Sequence, residues 1–560
     1  MVLRKPRLHN PGMPLQSGAS RLPLERPSMS HRLCWPQTRP LRGCVSRWQS
    51  VAPLVMATLV TACAGLPNPD NYAKPVTHVI TDTENTALAR RVEQWYPADA
   101  AGLSGFVPLA EGMRAFVARV GLIRAAESSL DVQYYIWHAD TSGQLLAHEL
   151  LQAADRGVRV RLLLDDLDTA GKDTFLSQFD THPNISVRLY NPFAYRGNRG
   201  LGFASDLSRL NHRMHNKSLT ADNLLTVVGG RNIGNEYFNG LAHTAFSDLD
   251  VLAVGPVVNA VSSMFDQYWN SDAAVPMAAF ARADDVAVER LSAARSQFEA
   301  VARSALASDY VQAIKGASWL EQMQLDQLTF AWGSANVIFD DPDKPLKREV
   351  TAETHLAPQL LPMLQNAARE VLIVSPYFVP GDTLVEFLAG LEERGIQVRI
   401  LTNSLAANDV GLVHAGYMRY RKDLLRAGVE LYEFKPEPGE LQRNKRWTGS
   451  STASLHAKTL GADARHVFVG SFNLDPRSVA LNTEMGIIID NNELAAQMRA
   501  GFEQVISHSA YAVALNGEGD LRWLDPAAPG SEPLAQEPRT TWWQRFVVGT
   551  LSLVVPESML

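Results

Sequence analysis

HNKSLTAD at residues 215–222 and HAKTLGAD at residues 456–463 are two copies of one pattern: a histidine, a lysine two positions later and an aspartate five positions after the lysine. Each copy is followed by a glycine-containing segment that ends in asparagine, GGRN at residues 229–232 and GSFN at residues 470–473. On a strand, residues i and i+2 point to the same face, so this spacing suits one phosphate held by imidazole and ammonium together. Two copies predict two halves that close on one site.

The repetition extends beyond the motif. Ala125-Ala126 and Tyr135 recur 242 positions later, Arg156-Gly157 recurs 238 positions later, and the two motif histidines are 241 positions apart. Nearly constant offsets indicate a duplicated domain, in contrast to a solenoid of small units. We therefore expect the two halves to be related by a pseudo-two-fold axis.

The segment before the first motif has the pattern of a β-α-β unit. It predicts a strand at 130–137, a turn at 140–143, a helix at 144–156 and a second strand at 158–164. A similar pattern recurs at 367–403. Such units form parallel strands covered by helices, and we expect each motif to lie on a later strand of its half. The predicted fold class is α/β: two mixed sheets flanked by helices, with one shared active site.

A chain of 560 residues is long enough for two or three domains. The segment from 284 to 316 is rich in alanine, arginine, glutamate and valine and predicts an inserted helix. The predicted divisions are a signal peptide at 1–62, with Met29 as an alternative start, a tether at 63–100, a first half at 101–275, a helical insertion and linker at 276–350, a second half at 351–510 and a C-terminal tail at 511–560.

The charge distribution argues against nucleic acid as a partner. Residues 1–62 hold nine lysines and arginines and one glutamate, which leaves 43 basic and 58 acidic residues in the rest of the chain. Binding to a nucleic acid backbone needs a broad basic surface. A single phosphate could still be held by the motif lysines.

The cysteines Cys34, Cys44 and Cys63 all lie near the N-terminus, so the body of the chain has no candidate for a disulfide or a thiolate metal site. Cys63 follows an uncharged run at 51–62, preceded by arginines and too short to span a bilayer. This arrangement resembles the lipobox of bacterial lipoproteins. The resemblance implies lipidation of Cys63 and a place in the cell envelope of a Gram-negative bacterium, facing the periplasm. Ala64, where an aspartate would favour inner-membrane retention, favours the outer membrane. A plain secretory signal or a short buried helix are the alternatives.

The apolar stretch at 542–555 is also too short to cross a bilayer. Its paired tryptophans beside an arginine are typical of a segment at a lipid interface. A helix packed on the catalytic body explains the same composition, and both interpretations stay open.

The paired motifs resemble the HKD motifs of the phospholipase D superfamily, and the resemblance covers about residues 105 to 509. The tyrosines at 134–135, the turn at 140–143 and GGRNIG at 229–234 look most like the bacterial cardiolipin synthase branch, particularly its C-type members. The first copy departs from the superfamily pattern because Gly230 stands where the second copy has Ser471. We expect this loss of one hydroxyl to weaken the support of one half of the site.

The residue types suit phosphodiester chemistry independently of the resemblance. Donors to the non-bridging oxygens can stabilise the charge that builds up in the transition state, and the motifs offer Lys217, Lys458, Asn232 and Asn473. No metal or other cofactor is then needed. The sequence has no cysteine cluster, no HExxH and no calcium-type loop.

Two imidazoles can divide the acid–base work because each titrates near neutrality. One histidine attacks phosphorus to give a phosphohistidine, and the other protonates the departing alcohol. The resemblance implies that His215 is the nucleophile and His456 the acid and base. The near-symmetry of the halves leaves the reverse assignment open.

Each histidine is expected to need a partner for its other ring nitrogen. The resemblance points to Glu484 as the partner of His456. The matching segment of the first half favours Asp248 as the partner of His215, with Asp250 as the second choice, and an exposed carboxylate at a strand end is the alternative.

The motif aspartates Asp222 and Asp463 have a different expected role. A charge-assisted hydrogen bond at a turn explains an aspartate at this place, so we expect them to hold loops and not to contact phosphorus.

The resemblance implies transfer of a phosphatidyl group through phosphohistidine to phosphatidylglycerol at a membrane, which forms cardiolipin. Phosphatidylglycerol and phosphatidylethanolamine both stay open as donors. Hydrolysis to phosphatidic acid is the alternative activity, and a phosphodiesterase or nuclease is the least favoured. Because both motifs are on one chain, a monomer suffices for catalysis; an unidentified accessory protein is compatible with the sequence.

Overall fold

The computed structural model describes residues 65–238, 248–280, 287–304, 310, 312–313, 328–344, 351–408, 410–436 and 455–554. The predicted signal peptide, Cys63 and Ala64 lie outside these ranges, as do parts of the predicted insertion.

The strands of the described residues are short and mostly buried. They are β1 Ser104–Leu109, β2 Ser129–Tyr134, β3 Arg159–Asp165, β4 Ile185–Tyr190, β5 Ser218–Ala221, β6 Leu225–Gly229, β7 Asp250–Val254, β8 Ala274–Pro276, β9 Ala331–Phe339, β10 Glu370–Val374, β11 Gln397–Asn403, β12 Glu430–Phe434, β13 Thr459–Ala462, β14 His466–Gly470, β15 Met485–Asp490, β16 Ala510–Leu515 and β17 Leu521–Leu524.

The helices cover the sheets and connect the parallel strands. They are α1 Ala87–Trp95, α2 Gly112–Ala125, α3 Thr141–Asp155, α4 Asp173–Phe179, α5 Arg199–Ser205, α6 Leu207–Leu210, α7 Asn235–Phe238, α8 Pro256–Asn270, α9 Ala287–Arg303, α10 Leu356–Gln365, α11 Gly381–Glu393, α12 Gly411–Met418, α13 Arg421–Arg426, α14 Pro476–Ala480, α15 Asn492–His508 and α16 Trp542–Val554; short 3₁₀ turns occupy Pro69–Asn71, Asp166–Asp168 and Met277–Ala279.

The two sheets repeat one strand order. The first runs β8–β4–β3–β2–β5–β6–β7–β1, and the second runs β16–β12–β11–β10–β13–β14–β15–β9, with β17 on the outer edge of β16. In each sheet three neighbouring strands are parallel, β2–β3–β4 and β10–β11–β12, and the remaining pairs are antiparallel. The order is identical after a shift of eight strands. This confirms the predicted duplicated α/β fold with mixed sheets.

Strand β9 belongs to both sheets. Its first residues pair with β1, as in Ala331 opposite Phe106, and its remainder pairs with β15, as in Phe339 opposite Met485. The second half therefore begins at β9, and the predicted boundary at 351 is too late. Strands β16 and β17 likewise extend the second half into the predicted tail. Neither edge of this half carries a motif, so the sequence offered no signal for these strands.

The first β-α-β unit follows the predicted order with shifted bounds. Helix α3 begins three residues before the predicted helix because Asp140 caps it, accepting a hydrogen bond from the Gly143 N–H at 3.1 Å. The helix ends before Gly157, whose φ of 99° is the left-handed conformation that glycine supplies at a helix C-terminus. The predicted turn at 140–143 is thus the start of the helix.

Three large apolar clusters stabilise the fold over the described residues. Two lie on the outer faces of the sheets under their helices, and the third lies between the sheets. The central cluster takes side chains from both halves, among them Phe106, Val251, Ile487 and Phe502. The two halves therefore share a core, and the residues at its edge are placed to form one site.

Helix α16 packs on the body through one face. Val548 is buried against Leu405 and Ala415, which confirms that the C-terminal stretch contains a packed helix. Its other face exposes Trp542 and Trp543 by 66% and 60%. Over the part of the chain that the structure covers, no helix combines the length and apolarity required to span a bilayer.

Candidate active site

The motif aspartates sit in matching turns. Asp222 and Asp463 have φ values of 51° and 57°, in hairpin turns after β5 and β13. Asp222 accepts hydrogen bonds from the backbone N–H groups of residues 127, 128 and 129 at 2.8–2.9 Å, and Asp463 accepts three from residues 368, 369 and 370 at 2.7–3.2 Å. Each carboxylate binds the segment that leads into a parallel strand, β2 for Asp222 and β10 for Asp463, in agreement with the predicted loop-holding role.

The histidine and lysine of each motif lie just before the strand, in contrast to their predicted place on it. β5 begins at Ser218 and β13 at Thr459. In each copy the lysine ammonium donates to the carbonyl oxygen of its own motif histidine, Lys217 to His215 and Lys458 to His456. Each lysine is therefore held beside its histidine by a local backbone contact.

Each histidine is paired with a carboxylate from the opposite half. His215 Nδ1 lies 2.8 Å from Glu484 Oε2, and His456 Nδ1 lies 2.6 Å from Asp248 Oδ2. The predicted partners, Glu484 for His456 and Asp248 for His215, were therefore assigned to the wrong histidines. The backbone explains the exchange, because the His215 N–H donates to the Thr483 carbonyl oxygen at 2.8 Å and so places this histidine beside the start of β15.

Asp250, the second choice as a histidine partner, has a structural role. Its carboxylate accepts from the Arg119 guanidinium at 2.9 Å and lies 3.3 Å from the guanidinium of Arg231. All three side chains are buried. A buried carboxylate paired in this way is committed to holding β7 in place.

Gly230 and Ser471 are matched to different carboxylates. The Ser471 hydroxyl donates to Glu484 Oε2 at 2.5 Å, whereas a Cβ at Gly230 would come within 2.2 Å of Asp248 Oδ1. The absence of a side chain at Gly230 therefore makes room for Asp248. This explains the departure from the superfamily pattern. From the sequence we expected the missing hydroxyl at Gly230 to weaken this half of the site.

The two predicted phosphate-binding asparagines have different surroundings. Asn232 accepts from the Ile136 N–H at 3.2 Å and donates to the Tyr237 hydroxyl at 3.0 Å. Asn473 is buried, and its carbonyl oxygen has no protein hydrogen-bond partner among the described residues. The second half thus keeps an uncommitted polar atom next to the motif.

Aromatic rings flank both histidines, and neither ring was predicted from the sequence to belong to the site. The Tyr135 ring lies 4.9 Å from the His215 ring and the Tyr237 ring lies 5.2 Å from the His456 ring, both edge-on. The recurrence of Tyr135 242 positions later was a signal that could have identified it. Tyr237 has Ser478 at the corresponding place, so the repeat could not have identified it.

The segment that follows β9, with Asp340 and Lys344, supports the site through hydrogen bonds and an ion pair. Asp340 accepts the Glu484 N–H at 2.8 Å and lies 3.0 Å from the Lys344 ammonium, which also donates to the carbonyl oxygens of Ser478 and Asn482. All of these polar groups are buried. Residues that the sequence placed in a linker therefore fix the position of Glu484.

Burial and charge distinguish the two histidines. Burial, reinforced by Lys217 and Lys458, holds the pKa of His215 well below its usual value. The pKa of His456 is also lowered, by burial and then by Lys458, but Asp248 acts in the opposite direction. Burial would raise the pKa of Asp248, yet its contact with His456 holds that pKa well below the usual range. Asp248 is therefore ionised.

The partner of His215 behaves differently. Burial raises the pKa of Glu484 to about 7 and lowers that of Lys217 to about 7. An arriving phosphodiester anion would favour the charged form of Lys217. The environment thus favours neutral His215 and, relative to it, an imidazolium at His456.

One group of side chains near the site has donor atoms close enough for a cation. Oxygen and nitrogen atoms of His138, Asp140 and Glu236 lie within 4.8 Å of one another. Asp140 already accepts from the N–H groups of Gly143 and Asn235, and His138 lies 2.9 Å from Glu236. These contacts explain the cluster as a cap that joins α3 to α7.

The chain is similar to known proteins over most of its length. A family model described as "Cardiolipin synthase, PLD-like domain" matches it twice, at residues 120–269 and 360–506. Cardiolipin synthase C of Escherichia coli (strain K12) is 43% identical over 463 residues, which cover 82% of this chain and 97% of that protein. Cardiolipin synthase B of the same strain is 24% identical over 440 residues, which cover 78% of this chain and 84% of that protein.

Among solved structures, the crystal structure of phosphatidylserine synthase from Haemophilus influenzae Rd KW20 has a TM-score of 0.50 and 16% sequence identity. The match covers 76% of this chain and 92% of that one. It shows a likeness of fold.

Proposed function

This chain belongs to the phospholipase D-like family of cardiolipin synthases, and on that premise we propose that it transfers a phosphatidyl group to phosphatidylglycerol, through a phosphohistidine, to form cardiolipin. The observation that carries the proposal is the pair of histidines from the two halves, each held at Nδ1 by a buried carboxylate of the opposite half. A carboxylate at Nδ1 fixes the tautomer in which Nε2 is available for chemistry.

In the first step His215 Nε2 attacks the phosphorus of the donor lipid. The bond from phosphorus to the headgroup oxygen breaks, and the protonated His456 delivers its Nε2 proton to that oxygen as the alcohol leaves. Lys217 and Lys458 stabilise the charge on the non-bridging oxygens. The product is a phosphatidyl group bonded to His215 and a neutral His456.

In the second step a hydroxyl of phosphatidylglycerol loses its proton to His456 Nε2. Its oxygen attacks phosphorus, the phosphorus–nitrogen bond breaks, and His215 returns to its neutral form. Both histidines end in their starting protonation states, so the cycle is balanced without a metal or cofactor.

The charges support this division of roles. A nucleophilic histidine must be neutral, and the pKa of His215 is held well below its usual value by burial and by Lys217 and Lys458. The general acid must carry a proton, and ionised Asp248 favours the imidazolium of His456.

Contact with a membrane is part of the proposal. The exposed face of α16 carries Trp542, Trp543 and Phe546, and Arg545 is the charged residue within the helix. Tryptophan and arginine are typical of the interface between lipid and water. Lipidation of Cys63, with the enzyme in the periplasm of a Gram-negative bacterium, would keep this face near its substrate.

Membrane contact can be tested in two parts. A mass of the N-terminal peptide that lacks diacylglycerol would contradict the lipid anchor. Changing both Trp542 and Trp543 to serine should reduce binding of the non-lipidated protein to phosphatidylglycerol vesicles, whereas changing exposed Leu524, outside α16, to serine should not.

The activity itself is tested by expressing the wild type, His215→Ala and His456→Ala in a cardiolipin-deficient bacterium and analysing the lipids by mass spectrometry. We expect cardiolipin with the wild type and none with either variant. Purified protein supplied with isotopically labelled phosphatidylglycerol or phosphatidylethanolamine would then identify the donor. Phosphatidic acid as the sole product would show hydrolysis in place of transfer and contradict the proposal.

A further inference from the structure

A cavity of about 320 Å³ lies in the first half, between the sheet and its outer helices. Its walls come from α3, β3, α4 and α9. They are mainly apolar and include Leu150, Leu162, Leu164, Phe175, Phe179 and Phe298. Its polar lining residues include His138 and Lys172.

The cavity lies at the same edge of the sheet as the histidines. Its wall includes Trp137. Two residues earlier in the chain, the ring of Tyr135 contacts His215. Lys172 donates to the Trp137 carbonyl oxygen at 2.7 Å, and the Ile136 N–H donates to the motif residue Asn232. The short segment from Tyr135 to Trp137 thus has the catalytic histidine on one side and the cavity on the other.

Protein interiors are normally packed without voids of this size, and cavities lined by leucine and phenylalanine stay dry and bind apolar molecules. A hydrocarbon chain is an apolar ligand that would fit such a space. Resting on the proposed function, we propose that the cavity holds one acyl chain of the phosphatidyl group while its phosphate is bonded to His215.

The cavity is also placed on the half that carries the proposed nucleophile. Helix α9, which closes it through Ala294, Gln297 and Phe298, belongs to the insertion that follows the first half. We predicted no role for this helix from the sequence. In the proposal it forms the outer wall of a chain-binding site, so that the covalent intermediate keeps its lipid tail bound between the two steps.

Two substitutions would fill the cavity from opposite walls. Ala147 on α3 and Ala294 on α9 are both buried in its lining, and we expect Ala147→Phe and Ala294→Phe to exclude a chain. Burying about two methylene groups corresponds to about a tenfold change in affinity, so kcat/KM with dipalmitoyl phosphatidylglycerol should fall about tenfold or more. In the same detergent, kcat/KM with dihexanoyl phosphatidylglycerol should change less than about twofold. Ala389→Phe, on helix α11 of the second half, is the matched control. It should leave the ratio of long-chain to short-chain kcat/KM unchanged.

A second measurement does not depend on activity or on tolerance of a larger side chain. Phosphatidylglycerol with a diazirine at the end of one acyl chain is photocrosslinked to the wild type and to His215→Ala, and the labelled peptides are identified. We expect label on peptides of α3, α4 or α9 in both proteins.

Label confined to other regions, including α16, would overturn the proposal, and so would an unchanged ratio of long-chain to short-chain kcat/KM in both folded phenylalanine variants. Failure of the proposed function has a separate readout. A wild type that makes no cardiolipin from either lipid would contradict the proposed function, and the crosslink would still test whether the cavity binds an acyl chain.

Discussion

Replacing Glu484 with glutamine should slow the step carried out by His215, although the two residues belong to opposite halves of the chain. Glu484 Oε2 lies 2.8 Å from His215 Nδ1 and is fully buried. Above pH 7, where Glu484 is mainly ionised, glutamine keeps the size of the side chain but removes the negative charge that fixes the tautomer and stabilises a positively charged imidazole.

The size of the effect follows from the bond that is lost. A hydrogen bond to a charged group contributes about 1.5–3 kcal/mol, and each 1.36 kcal/mol of barrier is tenfold in rate. We therefore expect Glu484→Gln to lower kcat by about 10- to 150-fold. Asp248→Asn removes an equivalent bond, at 2.6 Å from His456 Nδ1, and should lower kcat with natural lipids by a similar factor.

The assay separates the two histidines by the leaving group. With a phosphatidyl ester of p-nitrophenol the departing alcohol needs no proton, so the first step depends on the nucleophile alone. The burst of p-nitrophenol should slow about 10- to 150-fold in Glu484→Gln and change less than about threefold in Asp248→Asn. Leu249→Ile serves as a control, because the substitution keeps the backbone N–H of Leu249 that donates to Asp248 and changes only a side chain that makes no hydrogen bond.

The opposite pattern, with a normal burst in Glu484→Gln and a slow burst in Asp248→Asn, would assign the nucleophile to His456. A change below about threefold in both variants would refute the reasoning that the carboxylates act through the histidines.

Asp222→Asn and Asp463→Asn both lose a charged acceptor of three backbone N–H groups. Because only Asp222 is fully buried, the free energy of unfolding in urea should fall by about 2–3 kcal/mol in Asp222→Asn and by about 1 kcal/mol in Asp463→Asn. Gly230→Ser should lower kcat by about tenfold or more, because the new Cβ would meet Asp248. Adding Asp248→Glu should restore part of the loss, because Ser471 and Glu484 fit together in the other half. A double variant with no gain in kcat would contradict this explanation. The raised pKa of Glu484, about 7, means that the folded state keeps a proton that the unfolded chain loses near pH 4.5. Stability should therefore fall as pH rises from about 5 to 7, and Glu484→Gln should flatten that slope in urea unfolding at the two pH values.

The fold was predictable because the duplication repeats both motif and spacing. The offset of 241 positions holds for His215, Asn232 and Asp222 and their counterparts, and the strand order of the two sheets follows it. The place of Asp222 in a turn could be predicted, because aspartate tolerates a positive φ and its carboxylate accepts hydrogen bonds from nearby backbone N–H groups.

The pairing of carboxylates with histidines could not be predicted in the same way. In a symmetric duplication, a partner from the same half and one from the opposite half leave the same sequence pattern. Asp248 and Glu484 are also 236 positions apart, so they fall outside the common offset. Contact across the halves is decided by the packing of β6 and β7 against β14 and β15, which brings distant segments together.

The shared strand escaped prediction for a related reason. The segment at 331–339 alternates apolar and polar residues only weakly and carries no motif, and its two sets of partners lie more than a hundred residues away in both directions. Its place is set by the free edges of β1 and β15, which exist only after both sheets have formed.

The exchange of carboxylates also sets when the site comes into existence during biosynthesis. A ribosome delivers His215 first, and the carboxylate that orients it comes 269 positions later in the chain. Fragments that stop before Glu484 hold a motif histidine without its partner, however well their first sheet folds. A nascent or prematurely terminated chain therefore lacks the group that orients the nucleophile of the proposed mechanism, and this arrangement is complete only after Glu484 has been synthesised.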